Sequence, residues 1–258
     1  MQQNHLYETF ETMPMHPTFD LFELEYRLVR ARNRLNFRLR SKDDRDAWKV
    51  FVVGHPRTGT GTLDRIFREN GLASLHTSGT WRTADYDCFA DRGNYQPLDL
   101  LAQYYRNGFF ILNTRPSMNY LRSRAINTIK KRKRDNLPQP RFTVRNGMNE
   151  IIRRNNHFLD FVTRFHGSSS FCIINIERPG AFEFAARTLG LEPVPDAWSH
   201  RGQSDVDTDL LERIRIAYRE LGIENDRDNP FIIRDLLEPQ EIDRVDRFLD
   251  EHSDRVFL

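Results

Sequence analysis

Between Lys49 and Leu63 the chain reads KVFVVGHPRTGTGTL, a set of residue types and spacings suited to holding a phosphate or a sulfate. Val50 to Val53 fit a buried strand, His55-Pro56-Arg57 turn the chain, and Thr58-Gly59-Thr60-Gly61-Thr62 lead into an amphipathic run from Leu63. A helix start leaves backbone N–H groups without intrahelical partners and carries partial positive charge, so an anion is stabilised there. Gly59 and Gly61 let the backbone approach the anion, Thr60 and Thr62 add hydroxyl donors, and Arg57 adds a full charge. A Walker-type nucleotide loop places Lys directly after its second glycine and Ser or Thr after that. Here Gly54 and Gly59 keep the spacing, but Thr60 stands at the Lys position, Gly61 at the Ser/Thr position, and the cation precedes the glycine at Arg57. A second basic turn lies in FFILNTRPSMNYLRSR, residues 109–124: Arg115 falls just past a strand, and Ser123 follows it by eight residues on the helix begun by Pro116. A charged planar fork beside a neutral donor suits a phosphate monoester, although either residue alone reads better as a helix-capping arginine or an exposed serine.

To bring such turns together the chain needs strands that end on one side of a sheet. Short apolar runs at 50–53, 72–75, 109–113 and 171–176 alternate with helical patterns at about 60–70, 97–105, 116–134, 147–165 and 179–189. That alternation predicts an α/β fold in three layers, a central, mostly parallel sheet with helices on both faces. A helix over about 18–40 precedes the first strand, with Phe19, Phe22, Tyr26 and Val29 on one apolar stripe, Leu21, Leu28 and Leu35 on a neighbouring one, and its arginines in solvent. The polar stretch from Thr77 to Gln96 shows no period and is expected to be one long loop carrying substrate contacts. After a loop over 192–207, two amphipathic helices end the sequence. The expected organisation is a single domain over 1–258: a helical extension (1–48), a nucleotide-binding core (49–191), and a loop with C-terminal helices (192–258).

Composition narrows the classes. With 38% hydrophobic and 29% charged residues and a net charge of +2, the chain reads as a globular protein whose basic character is local. Its two cysteines, Cys88 and Cys172, have neither metal-site nor disulfide-framework spacing. No apolar run is long enough to span a membrane and the N-terminus lacks a signal-peptide layout, so a cytoplasmic location is expected.

The core Pro56-Arg57-Thr58-Gly59-Thr60 resembles the 5'-phosphosulfate loop of sulfotransferases that use 3'-phosphoadenosine 5'-phosphosulfate (PAPS), which reads Pro-Lys/Arg-Ser/Thr-Gly-Thr. Arg115 and Ser123 resemble the Arg and Ser, eight residues apart, that grip the donor's 3'-phosphate in that family. The resemblance covers about 49–191, including IINIE and FEFAARTLGLEP, which are similar to a core strand and helix of bacterial members. It implies a P-loop-like sulfotransferase fold, PAPS as donor, adenosine 3',5'-bisphosphate as product, and no metal. It also implies in-line sulfuryl transfer to a hydroxyl or an amine of a small-molecule or saccharide acceptor. Donor contacts would fall to Arg57, Thr58, Gly59, Thr60, Gly61, Thr62, Arg115 and Ser123, with Arg201-Gly202 a weaker match to the loop closing over the 3'-phosphate. Thr62 departs from the pattern, since cytosolic members often place a Trp there to stack on adenine.

Such a transfer needs charge stabilisation and removal of one proton. Arg57 fits the first need, because its guanidinium keeps its charge and acts electrostatically rather than by donating a proton. For the proton, His76 is the first candidate because it ends the second strand, where related enzymes carry a catalytic Glu or His, and imidazole changes charge near neutrality. A histidine that merely caps the strand is the competing reading. Asp87 is the leading reserve, with Asp85 and Asp91. His55 is expected to shape the turn and His157 to be structural. The basic run KKRKR at 130–134 fits a solvated helix end better than a nucleic-acid site. Expected partners are therefore the donor and the acceptor, with a homodimer left open, no nucleic acid and no membrane span. Two rivals stay open, a P-loop kinase or nucleotidase using Mg²⁺ with Glu177 as its acidic residue, and a non-catalytic anion-binding interaction protein.

Overall fold

The computed structural model describes residues 21–40, 43–76, 79–134, 143–195, 208–223 and 231–258. Among these, six strands form one sheet: β1 (Lys49–Val52), β2 (Ser74–Leu75), β3 (Cys88–Phe89), β4 (Gly108–Thr114), β5 (Phe171–Asn175) and β6 (Val256–Phe257). Their order across the sheet is β2-β3-β1-β4-β5-β6, and every pairing is parallel. Eight α-helices among the described residues surround the sheet: α1 (Leu21–Leu39), α2 (Thr60–Glu69), α3 (Leu98–Tyr104), α4 (Ser117–Arg134), α5 (Val144–Phe165), α6 (Ala181–Thr188), α7 (Thr208–Glu220) and α8 (Pro239–Glu251). The α/β class and parallel sheet expected from the alternation of strands and helices are what the chain forms.

Strands covered on both faces should be apolar throughout rather than alternating, and β1 is buried at all four positions. Alternate residues then serve opposite layers. Val50 and Val52 pack with Leu63, Ile66 and Phe67 of α2 and with Ala181, Phe182 and Ala185 of α6. Phe51 and Val53 face the other side, where α5 supplies Phe158, Phe161 and Phe165, α3 supplies Leu98 and Leu101, and α8 supplies Val245 and Phe248. A third cluster, Tyr120, Leu121, Ile151, Leu210, Ile214 and Tyr218, joins α4 and α7 to α5.

Three local expectations are corrected. The stretch Thr77–Gln96 is not one loop: it contains β3, which pairs Val50 with Cys88 and Phe51 with Phe89 and separates β1 from β2. Two residues are too few to show a period, and only the neighbouring strands give them hydrogen-bond partners. The edge strand β6 was hidden for the same reason. In α1, Leu28 and Leu35 face outward (58% and 55% exposed), while Phe37 and Asn33 are buried. This helix docks through polar contacts as much as apolar ones: Asn33 Nδ2 donates to Tyr95 O (3.0 Å), Tyr26 Oη to Asn94 O (3.3 Å), and Arg34 pairs with Asp99 (2.6 Å). No helix among the described residues is long and apolar enough to cross a membrane.

Candidate functional site

The turn after β1 is drawn tight by its neighbour strand. A Cβ on Gly54 would lie 2.1 Å from Asn113 O, so only glycine fits where β1 and β4 end side by side. Asn113, buried at the end of β4, stitches the turn closed: its Oδ1 accepts from Gly54 N (2.9 Å), and its Nδ2 donates to Thr58 O (2.5 Å) and Thr58 Oγ1 (2.7 Å). Thr58 Oγ1 in turn donates to His55 O at 2.5 Å. Arg57, at the apex, has φ +72°, a left-handed conformation costly for a residue with a side chain. Gly59 caps α2 at φ +82°, and the first helical hydrogen bonds run from Thr62 N and Leu63 N to Gly59 O. The N–H groups of Thr60 and Gly61 therefore precede the helical ladder at the positive end of the helix dipole.

The two basic turns meet. Arg57 Nε donates to Ser123 Oγ (3.3 Å) and Arg115 Nη1 donates to Arg57 O (3.2 Å), which joins segments 58 and 66 residues apart in sequence. Arg115 is held from three sides. Its Nε (3.0 Å) and Nη2 both donate to Glu177 Oε1, and its carbonyl accepts from Arg154 Nη2 at 2.6 Å. Arg154 is itself buried, also donates to Thr114 Oγ1 (3.1 Å) and Phe231 O (3.1 Å), and lies over the Tyr120 ring. Burial first, then the guanidiniums of Arg115 and Arg124, lower the Arg57 pKa from its ordinary value. Because arginine remains charged, the Arg57 and Arg115 guanidiniums, joined through Arg57 O, together with the field of Arg124, make the turn favourable to an anion.

Beneath the turn lies a buried layer of aromatic rings and imidazoles. His157 Nε2 is 2.6 Å from Val53 O, so this nitrogen carries the proton and donates it to the carbonyl. Tyr120 Oη donates to Glu150 Oε2 (2.8 Å) and lies 3.4 Å from His55 Nδ1, from which it can accept. His55 Nε2 is left without a hydrogen-bond partner, on a cavity of about 10 Å³ lined also by Thr58, Asn113 and Arg154, room for about one water. Burial drives the pKa of both histidines down, and for His55 the nearby His157, Arg154, Arg124 and Arg153 push the same way. Both are neutral supports for the turn rather than proton carriers.

The other sequence candidates separate. His76 is exposed at the end of β2, and its Nε2 is 3.3 Å from Thr60 Oγ1, at the first residue of α2. Asp87 is not brought to the turn. It precedes β3 at the amino edge of the sheet, where its carboxylate accepts from Ala73 N (3.0 Å) and its carbonyl from Val50 N (2.9 Å). The turn begins four residues farther along β1, roughly 13 Å away at strand rise. Asp85, paired with Arg82, lies before Asp87 in the chain. Asp91 instead follows β3 at the carboxyl edge, close to Gly93, whose Cβ would lie 2.2 Å from Val53 Cα. Arg201 and Gly202 fall outside the described residues. Sequence reading passed over Asn113, Arg124 and Arg154. Asn113 alone left a trace, as a polar residue closing an apolar strand; the other two are indistinguishable from surface arginines until the helices are packed. Free Cys88 and Cys172 are buried, and burial lifts Cys172 to about 12, which leaves it unreactive at neutral pH. Neither a protein-family model nor a curated protein sequence matches this chain.

Proposed function

We propose that this chain transfers a sulfuryl group from PAPS to a hydroxyl or an amine of a small-molecule or saccharide acceptor. The observation that carries the reading is the meeting of the two basic turns at the carboxyl edge of the sheet, through Arg57–Ser123 and Arg115–Arg57 O. One ligand with two separated anionic groups answers both turns, and PAPS is such a ligand. The residues present suit it: adjoining guanidiniums, hydroxyls of Thr60 and Ser123, helix N–H groups ahead of the ladder, and a backbone apex at Arg57 that the fold keeps in a left-handed conformation.

The donor supplies the sulfuryl group, its S–O bond to the 5'-phosphate breaking as the acceptor atom bonds to sulfur. Arg57 and the N–H groups of Thr60 and Gly61 stabilise the negative charge that grows on the departing phosphate oxygen. Arg115 and Ser123 hold the 3'-phosphate, which fixes the nucleotide's register. His76, beside Thr60, takes the acceptor's proton. With Asp87 on the far edge, Asp91 is the reserve for that role.

Calorimetry with adenosine 3',5'-bisphosphate beside ADP·Mg²⁺ tests the reading. Binding of the bisphosphate without metal, and more tightly than ADP·Mg²⁺, is expected. Preference for ADP·Mg²⁺ would favour a kinase or nucleotidase, and binding of neither would favour an interaction protein.

A further inference from the structure

Glu177 sets a negative charge directly against the second anion subsite. It lies two residues past β5, and its N–H donates to Asn175 Oδ1 (3.1 Å), which fixes its backbone. Oε1 accepts from both Nε and Nη2 of Arg115, and Oε2 accepts from Asn119 Nδ2 at 2.7 Å. Both oxygens are committed, and the side chain is still 25% exposed, so the carboxylate sits at the mouth of the subsite rather than deep in the core. A carboxylate so placed has two opposed effects. It fixes the plane of the guanidinium, whose Nη1 reaches Arg57 O. It also repels any phosphate that the same guanidinium binds.

We propose that Glu177 is the tuning residue of the Arg115 subsite: it aligns Arg115 and its charge holds down the affinity for a phosphate monoester there. This rests on the donor reading above and adds a consequence for turnover. Arg57 and Arg115 adjoin through Arg57 O, and without a counter-charge the two cations would keep the bisphosphate product bound, although turnover requires its release. Glu177 supplies that counter-charge from the protein side.

The geometry offers a nearly isosteric test. In Glu177→Gln the amide oxygen can still accept from Arg115, and its NH₂ can donate to Asn119 once the Asn119 amide turns over. Alignment is kept and charge is removed. Calorimetry on the full chain would compare adenosine 3',5'-bisphosphate with adenosine 5'-phosphate, which lacks the group that Glu177 faces. The expected result is that Glu177→Gln tightens the bisphosphate by about five- to tenfold, an effect that salt diminishes, with the monophosphate unchanged. Stopped-flow release of the bisphosphate should slow by the same factor. Glu177→Met, of similar length and without charge, serves as the second variant if Glu177→Gln does not fold, and should also raise the preference for the bisphosphate over the monophosphate. An unchanged or lowered bisphosphate-to-monophosphate preference in Glu177→Gln, or in Glu177→Met where Glu177→Gln does not fold, overturns the proposal while leaving the donor reading intact. A wild-type chain that shows no preference for the bisphosphate overturns both.

Discussion

Arg57 combines two properties that a single substitution usually confounds, a charge aimed at the anion site and a backbone held at φ +72°. They can be separated because glycine adopts positive φ without penalty whereas alanine does not. Arg57→Gly should raise stability by up to about 1 kcal/mol, since strain at the apex is removed. It should still lower transfer by about 10²–10³, the usual loss for a donor directed at developing charge. Arg57→Ala should show the same loss of transfer without the gain in stability. Urea unfolding and initial rates with labelled donor read the two effects; equal stability of the two variants would mean that the left-handed apex is not kept without Arg57.

At the scale of elements, the site depends on how closely the segment after β3 rests on the end of β1. Gly93 is packed so near Val53 that a Cβ would fall 2.2 Å from its Cα, a backbone contact that no rotamer change relieves. Gly93→Ala should therefore cost about 3 kcal/mol or more and displace Asp91 and the start of the turn together. The measurement is a paired one: the urea midpoint, and bisphosphate affinity under conditions in which the variant is still folded. A fall in stability with unchanged affinity would show that the turn is held by Asn113 alone and owes nothing to β3. Helix α1 belongs to this same assembly, since Asn33 and Tyr26 bond the backbone of residues 94 and 95 that follow Gly93. The segment expected from sequence to be an extension thus buttresses one wall of the site.

For the molecule as a whole, the buried imidazoles tie stability to pH. His55 and His157 are held neutral below the ordinary value of 6.5, whereas the unfolded chain takes up their protons near that value. The unfolded state then binds more protons as pH falls below about 6.5, so stability is complete above that point and declines beneath it, by up to about 1.4 kcal/mol per pH unit for each histidine. Urea midpoints followed from about pH 7 to pH 5 should fall accordingly. His55→Gln should flatten the decline while keeping a donor toward Tyr120. An unaltered slope in that variant would move the pH dependence to other groups.

Much of this protein is legible in the linear text. Apolar runs of four to six residues alternating with amphipathic helices are enough to require a parallel sheet, because such runs must be buried on both faces. The turn from Gly54 to Thr62 and the Arg115–Ser123 spacing follow from local rules of glycine, helix starts and charge, all of which act over a few neighbouring residues. What lies beyond them is decided by contacts between residues far apart. Only packing separates Asp87 from Asp91: the three residues between them carry the chain across β3, from the amino to the carboxyl edge of the sheet. Only packing sets Glu177 against Arg115, 62 residues away in sequence. A two-residue strand has no period of its own, and an arginine in a helix carries no mark of whether it will be buried, so both acquire their roles from the neighbours that folding gives them.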